Sequence, residues 1–132
     1  MGSDSGTPEE GSLSEPTVHV ELGPTREREF AAIVSLRGEH DLATASLVSD
    51  AIGAIDGNVL VDLSECTFLD STVIGVLFAR NQELEQAGHF LEVVAPRENT
   101  RISRTLELVH MRDVIVVQEA RPGLDLDSST GA

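Results

Sequence analysis

Lysine is absent from this 132-residue chain; all nine basic residues are arginine. That excludes chemistry built on a lysine: a P-loop, a Schiff base, or the lysine-dependent receiver type of phosphoaspartate switch. Tryptophan and tyrosine are also missing and phenylalanine occurs four times, so stacking platforms for bases or sugars are scarce. Cys66 is the single cysteine, which rules out an intrachain disulfide and fits a reducing compartment. No apolar run is long enough to cross a bilayer; Val73–Ala79 falls far short. The opening residues MGSDSGTPEE have neither a basic nor an apolar region of the signal-peptide kind, so a cytoplasmic location is expected. Positive charge is scarce overall. The net charge of -14 and pI of about 4.4 argue against direct contact with nucleic acid or an anionic membrane surface. They suit a protein that meets a basic patch on another protein.

What is present reads as one domain between two tails. Residues 1–16 and 120–132 are rich in Gly, Ser, Pro and acid and bury too little to offset their ordering entropy, so they are expected to be disordered. Residues 17–119 alternate between the two periodicities. Thr17–Leu22 has period two, with Val18, Val20 and Leu22 on one face, and GPTRER supplies a turn. Phe30–Leu36 is a second strand, followed by GEHD as a loop. Leu42–Ile55 places Ala45, Val48, Ile52 and Ile55 on one helical face, with Asp41 as N-cap. Asn58–Leu63 is a strand, Ser71 to about Ala87 a helix ending before Gly88, and Phe90–Val94 a strand. Pro96–His110 is a third helix with Ile102, Leu106 and Val109 inward, and Val114–Val117 a last strand. The order β-β-α-β-α-β-α-β predicts an α/β domain with a single mixed, mainly parallel sheet and three to four helices packed on it. Functional loops in such sheets lie at the carboxyl ends of strands, which singles out GEHD and FLDSTV.

The second of these opens the stretch FLDSTVIGVLFA. Its bland reading is a helix cap, since Asp, Ser and Thr all cap well. A cap explains one polar residue but not Asp70, Ser71 and Thr72 in succession, nor the apolar or glycine identity of every residue from Val73 to Ala79. A surface helix should show a polar face by then. The expectation is therefore an apolar patch presented to a partner, with Val73, Ile74, Leu77 and Phe78 in the contact and His40 and Asp41 beside it. A phosphate on Ser71 would add about -1.5 to -2 charges at a helix N-terminus, where the fold tolerates it but a docked partner would have to desolvate it.

FLDSTVIGVL resembles the Asp-Ser-Ser-Gly-Leu-Gly-Val-Leu segment of STAS domains, the family of bacterial anti-sigma-factor antagonists. Gly38-Glu39-His40-Asp41 is similar to that family's Gly-Glu-Leu-Asp, Leu60–Leu63 to the strand before its phosphorylation loop, and Leu106–Val116 to its third helix and last strand. The resemblance spans roughly Thr17 to Val117. It implies a phosphorylation-switched protein-binding module in transcription control whose partner is an anti-sigma factor with serine kinase activity. The unphosphorylated antagonist captures that partner and releases a sigma factor. It implies Ser71 as phosphoacceptor, with Thr72 as the alternative, and Asp41 and Asp70 flanking it. Thr72 stands where the family's motif has a second serine and Val73 where it has its first glycine, so added bulk beside the acceptor is expected. The same resemblance extends to non-catalytic STAS subunits of lipid transporters and of larger signalling assemblies.

Other signals are weaker. His19, His40, His89 and His110 have no ligand spacing, so no metal or other cofactor is expected. A small serine hydrolase with Ser71 as nucleophile lacks the G-x-S-x-G elbow. Cys66 reads as a small packed hydrophobe. Arg97, Arg101 and Arg104 recur at about helical spacing, either as a solvated face or as a basic patch in an acidic protein.

Overall fold

The computed structural model describes residues 15–24 and 30–121. The expected tails, apart from residues next to the domain, and most of the GPTRER turn lie outside the described residues. The elements are β1 (Thr17–Leu22), β2 (Ala32–His40), α1 (Leu42–Gly53), β3 (Val59–Asp62), β4 (Cys66–Leu69), α2 (Ser71–Gln86), β5 (Leu91–Val94), α3 (Thr100–Leu108), a 3-10 turn (Met111–Asp113) and β6 (Val116–Gln118). The strands form one six-stranded mixed sheet in the order β1-β2-β3-β5-β6, with β4 pairing β2 off this path. Among the described strands only β1 runs antiparallel, against β2. The α/β fold expected from the alternating periodicities is the fold observed.

Strand alternation separates the sheet into two faces. Val34 and Leu36 of β2, Val59 and Val61 of β3 and Val93 of β5 point into the main core with Val48 and Ile52 of α1, Leu77 of α2 and Ile102 and Leu106 of α3. Burying each of these side chains contributes about 1.5–3 kcal/mol. On the opposite face, Phe30, Ile33, Leu60 and Val94 form a smaller cluster, with Phe30 and Phe90 edge to face at 5.7 Å. Beside it lies a polar clamp. Arg121 donates to Asp62 at 2.6 Å, to Ser35 at 3.0 Å and to both oxygens of Glu21 at 3.3 Å, tying β1, β2 and β3 together. Burial alone would raise the Asp62 carboxyl, but hydrogen bonds from Ser64 and Arg121 outweigh it and hold the group below its ordinary value.

Three local expectations change. GEHD is not a loop: β2 continues through His40, with Gly38 at φ 82° allowing the irregular register where β4 joins. The stretch before Asp70 contains the four-residue strand β4 rather than a connecting loop. The third helix starts at Thr100, not Pro96, because Asn99 caps it through Ile102 N–H at 3.4 Å.

Candidate functional site

Parallel pairing of β2 and β4 builds the site. His40 lies opposite Leu69 in register, and the Asp70 N–H donates to the His40 carbonyl at 3.1 Å. The next residue on each strand is therefore an aspartate, and each aspartate starts a helix. Asp41 heads α1, accepting from the Ala43 N–H at 2.9 Å. Asp70 heads α2, accepting from the Thr72 N–H at 2.9 Å, the Val73 N–H at 3.3 Å and the Thr72 hydroxyl at 2.7 Å. The Thr72 hydroxyl, with the Val73, Thr72 and Leu42 amides, holds the Asp70 carboxyl below the usual carboxylate range. Two positive helix ends thus lie side by side, each capped by an aspartate.

Ser71 occupies the first helical position of α2 and is exposed. Its hydroxyl makes no hydrogen bond with another described residue, whereas that of Thr72 is held by Asp70. Nonpolar surface is accessible nearby, but not where the sequence put it. Leu42, directly after Asp41, is 71% exposed, and Phe68, two residues before Asp70, is 40% exposed. An open groove of about 310 Å³ runs from Thr72 between α1 and α2 and is lined by Gly53, Gly75, Val76 and Ala79.

The ground beneath the site is fixed by buried polar contacts. His40 is fully buried; its Nε2 donates toward the carbonyls of Arg37 at 3.0 Å and Thr17 at 3.2 Å, and its Nδ1 meets the Thr44 hydroxyl at 3.0 Å. Asn99 spreads its amide over the carbonyls of Leu63 at 3.2 Å, Ser64 at 3.4 Å and Cys66 at 2.8 Å, holding the loop that leads into β4. Sequence reasoning missed Asn99; its cap position before Thr100-Arg101-Ile102 was the available signal.

A family model described as "Mlab, STAS domain" matches residues 25–118. The chain belongs to the STAS domain family. The crystal structure of an anti-sigma factor antagonist from Mycobacterium paratuberculosis is similar to this STAS domain at 29% identity and a TM-score of 0.65, over 89% of this chain and 94% of that one. The unphosphorylated anti-sigma factor antagonist SpoIIAA shares the fold at 21% identity and a TM-score of 0.57, over 88% of this chain and 100% of that one. The comparison with curated proteins gave no match.

In this STAS domain Asp41, Asp70, Ser71 and Thr72 come together at the heads of two adjacent helices. The apolar residues of α2 do not join them at the surface. Val73 and Leu77 are fully buried, Ile74 nearly so, and Phe78 is half-buried against the main core. The outward side of these turns is formed instead by Ser71, Thr72, Gly75 and Ala79, small residues that need no polar face. His40 likewise faces inward and supports the site from below. Val73 adds no bulk beside Ser71, because its side chain enters the core. Glycine's freedom is not required there either; among non-glycine described residues only His110 has positive φ.

Proposed function

We propose that this STAS domain is an anti-sigma-factor antagonist, a non-enzymatic module that captures an anti-sigma factor with serine kinase activity and is switched off when Ser71 is phosphorylated. The observation that carries the reading is the exposed Ser71 hydroxyl between two capping aspartates, without a hydrogen bond to another described residue. The similar antagonist at 29% identity supports it further. Thr72 is the weaker acceptor, since its hydroxyl already donates to Asp70.

The physical switch is local. A phosphate on Ser71 sits at the positive end of α2, so the fold accommodates it. It also sits beside Asp70, which stays ionised at neutral pH, and near exposed Leu42 and Phe68. A partner covering those side chains would have to strip water from a cluster of like charges. The contact surface in this reading is Leu42 and Phe68 with Asp41, Ser71, Thr72 and the Gly75 groove. The nucleotide and magnesium for phosphoryl transfer belong to the partner. Ser71 has no hydrogen-bonded base among the described residues, which weighs against the hydrolase alternative.

A second reading keeps the surface and drops the switch: a STAS subunit of a lipid transporter or another larger assembly. The description of the matching family model favours it. Affinity capture from native lysate with phosphosite mapping on the same sample separates the two. A kinase-type anti-sigma factor with phosphate on Ser71 supports the first reading. A transporter ATPase with unmodified Ser71 overturns it.

A further inference from the structure

Four of the nine arginines of this acidic chain line one open depression. Arg97, Arg101, Arg104 and Arg112 meet there on the outer side of α3, beside β6, which is an edge strand of the sheet. Glu107 and Glu119 also line it, so positive charge is in excess locally while the whole chain carries -14. Arg97 pairs with Glu119 at 2.7 Å. Arg101 and Arg112 each direct one nitrogen to a backbone carbonyl, Thr67 at 3.3 Å and Val117 at 3.4 Å, which positions the guanidinium groups without neutralising them. Arg104 has no hydrogen bond or ion pair with another described residue. Leu108, in the same depression, is 72% exposed. A fitting occupant carries carboxylates and apolar side chains close together.

The chain holds such a segment. Leu124-Asp125-Leu126-Asp127 offers both chemistries within four residues, three to six positions past Arg121, the last described residue. An extended chain covers about 10–20 Å over that length. Glu119, two residues before Arg121, already lines the depression. A tether this short keeps the local concentration of the segment high, on the order of millimolar.

We propose that Leu124–Asp127 docks in the arginine-lined depression of its own chain, with its aspartates against the guanidinium groups and a leucine on Leu108. Docked there, the segment also shields the open edge of β6, the kind of edge that otherwise invites pairing with another chain. The proposal does not depend on the phosphorylation switch.

The test uses the full chain with Ser128→Cys carrying a nitroxide label. Cys66 is buried, with its thiol pushed up to about 11, so the introduced thiol is the one that reacts. Amide signals of Arg104, Leu108 and Arg112 are expected to broaden. The broadening should be lost in Arg104→Glu/Arg112→Glu, in Asp125→Asn/Asp127→Asn, and in about 1 M NaCl, where the Debye length falls to about 3 Å. No broadening at α3, or broadening that survives both double variants, overturns the proposal. Broadening seen only when labelled and isotope-enriched molecules are mixed overturns it in favour of a second copy's segment.

Discussion

Asp70 gives its backbone N–H to the carbonyl of His40 at 3.1 Å, and this bond sets Asp41 and Asp70 side by side at the heads of neighbouring helices. The site depends on that pairing. A strand of four residues brings two otherwise ordinary helix caps together, and the exposed serine follows the second cap.

Asp41 is a cap whatever else it does. Asp41→Ala should lower stability by about 1 kcal/mol, and Asp41→Ser should restore most of it. Denaturant titration checks this. If Asp41→Ser keeps the stability but still loses partner affinity, the carboxylate touches the partner as well as capping α1.

Gly75 tests whether the groove between α1 and α2 is used. Nothing lies within 4 Å of the Cβ that alanine would add, and its φ is not positive. Gly75→Ala should therefore stabilise α2 by about 0.5–1 kcal/mol. If the groove receives the partner, the same variant loses affinity while gaining thermal stability. Unchanged affinity removes the groove from the contact surface.

Much of this arrangement was legible in the sequence, and the misses have physical causes. β1 was read from clean alternation, and α1 from its Asp41 cap and the Val48–Ile52–Ile55 face. The end of α2 was read from Gly88, which takes φ 86° just past the helix. β4 was invisible because Cys66–Leu69 is too short to display a period. GEHD looked like a loop because Gly38 interrupts β2 without ending it. Burial of Val73, Ile74 and Leu77 is hidden in the sequence because Gly75 and Ala79 lengthen the apolar run, although small size is what suits them to the outward side.

The Arg121 clamp predicts an acid response. The folded-state pKa of Asp62 is depressed, so its contribution is present above the unfolded carboxylate value of about 3.9 and is lost as pH falls through the folded value. Urea midpoints measured from pH 6 to pH 2 should fall more steeply for wild type than for Asp62→Asn. Arg121→Ala should cost about 1–3 kcal/mol at neutral pH by leaving Asp62 without its charged partner. Equal slopes for wild type and Asp62→Asn would contradict the clamp.

Cys66 predicts an alkaline one. Burial pushes its thiol up to about 11, against a partial lowering by its bond to Phe68. The native protein should react with a thiol reagent at pH 8 only through unfolding. The neutral thiol's contribution is intact below the unfolded value of about 8.5 and fades as pH rises toward the folded one. Fast, denaturant-independent labelling would place the thiol at the surface.

The central claim is that negative charge at Ser71 cancels partner binding without disturbing the fold. The most direct test is the affinity of Ser71→Ala and Ser71→Asp for the proposed anti-sigma-factor partner, by titration calorimetry, with thermal unfolding of each variant alone. Ser71→Ala should bind as the unphosphorylated protein does. Ser71→Asp should bind about 100-fold or more weakly, a loss of about 2.7 kcal/mol, with unchanged thermal stability. Wild-type affinity in Ser71→Asp would contradict the account.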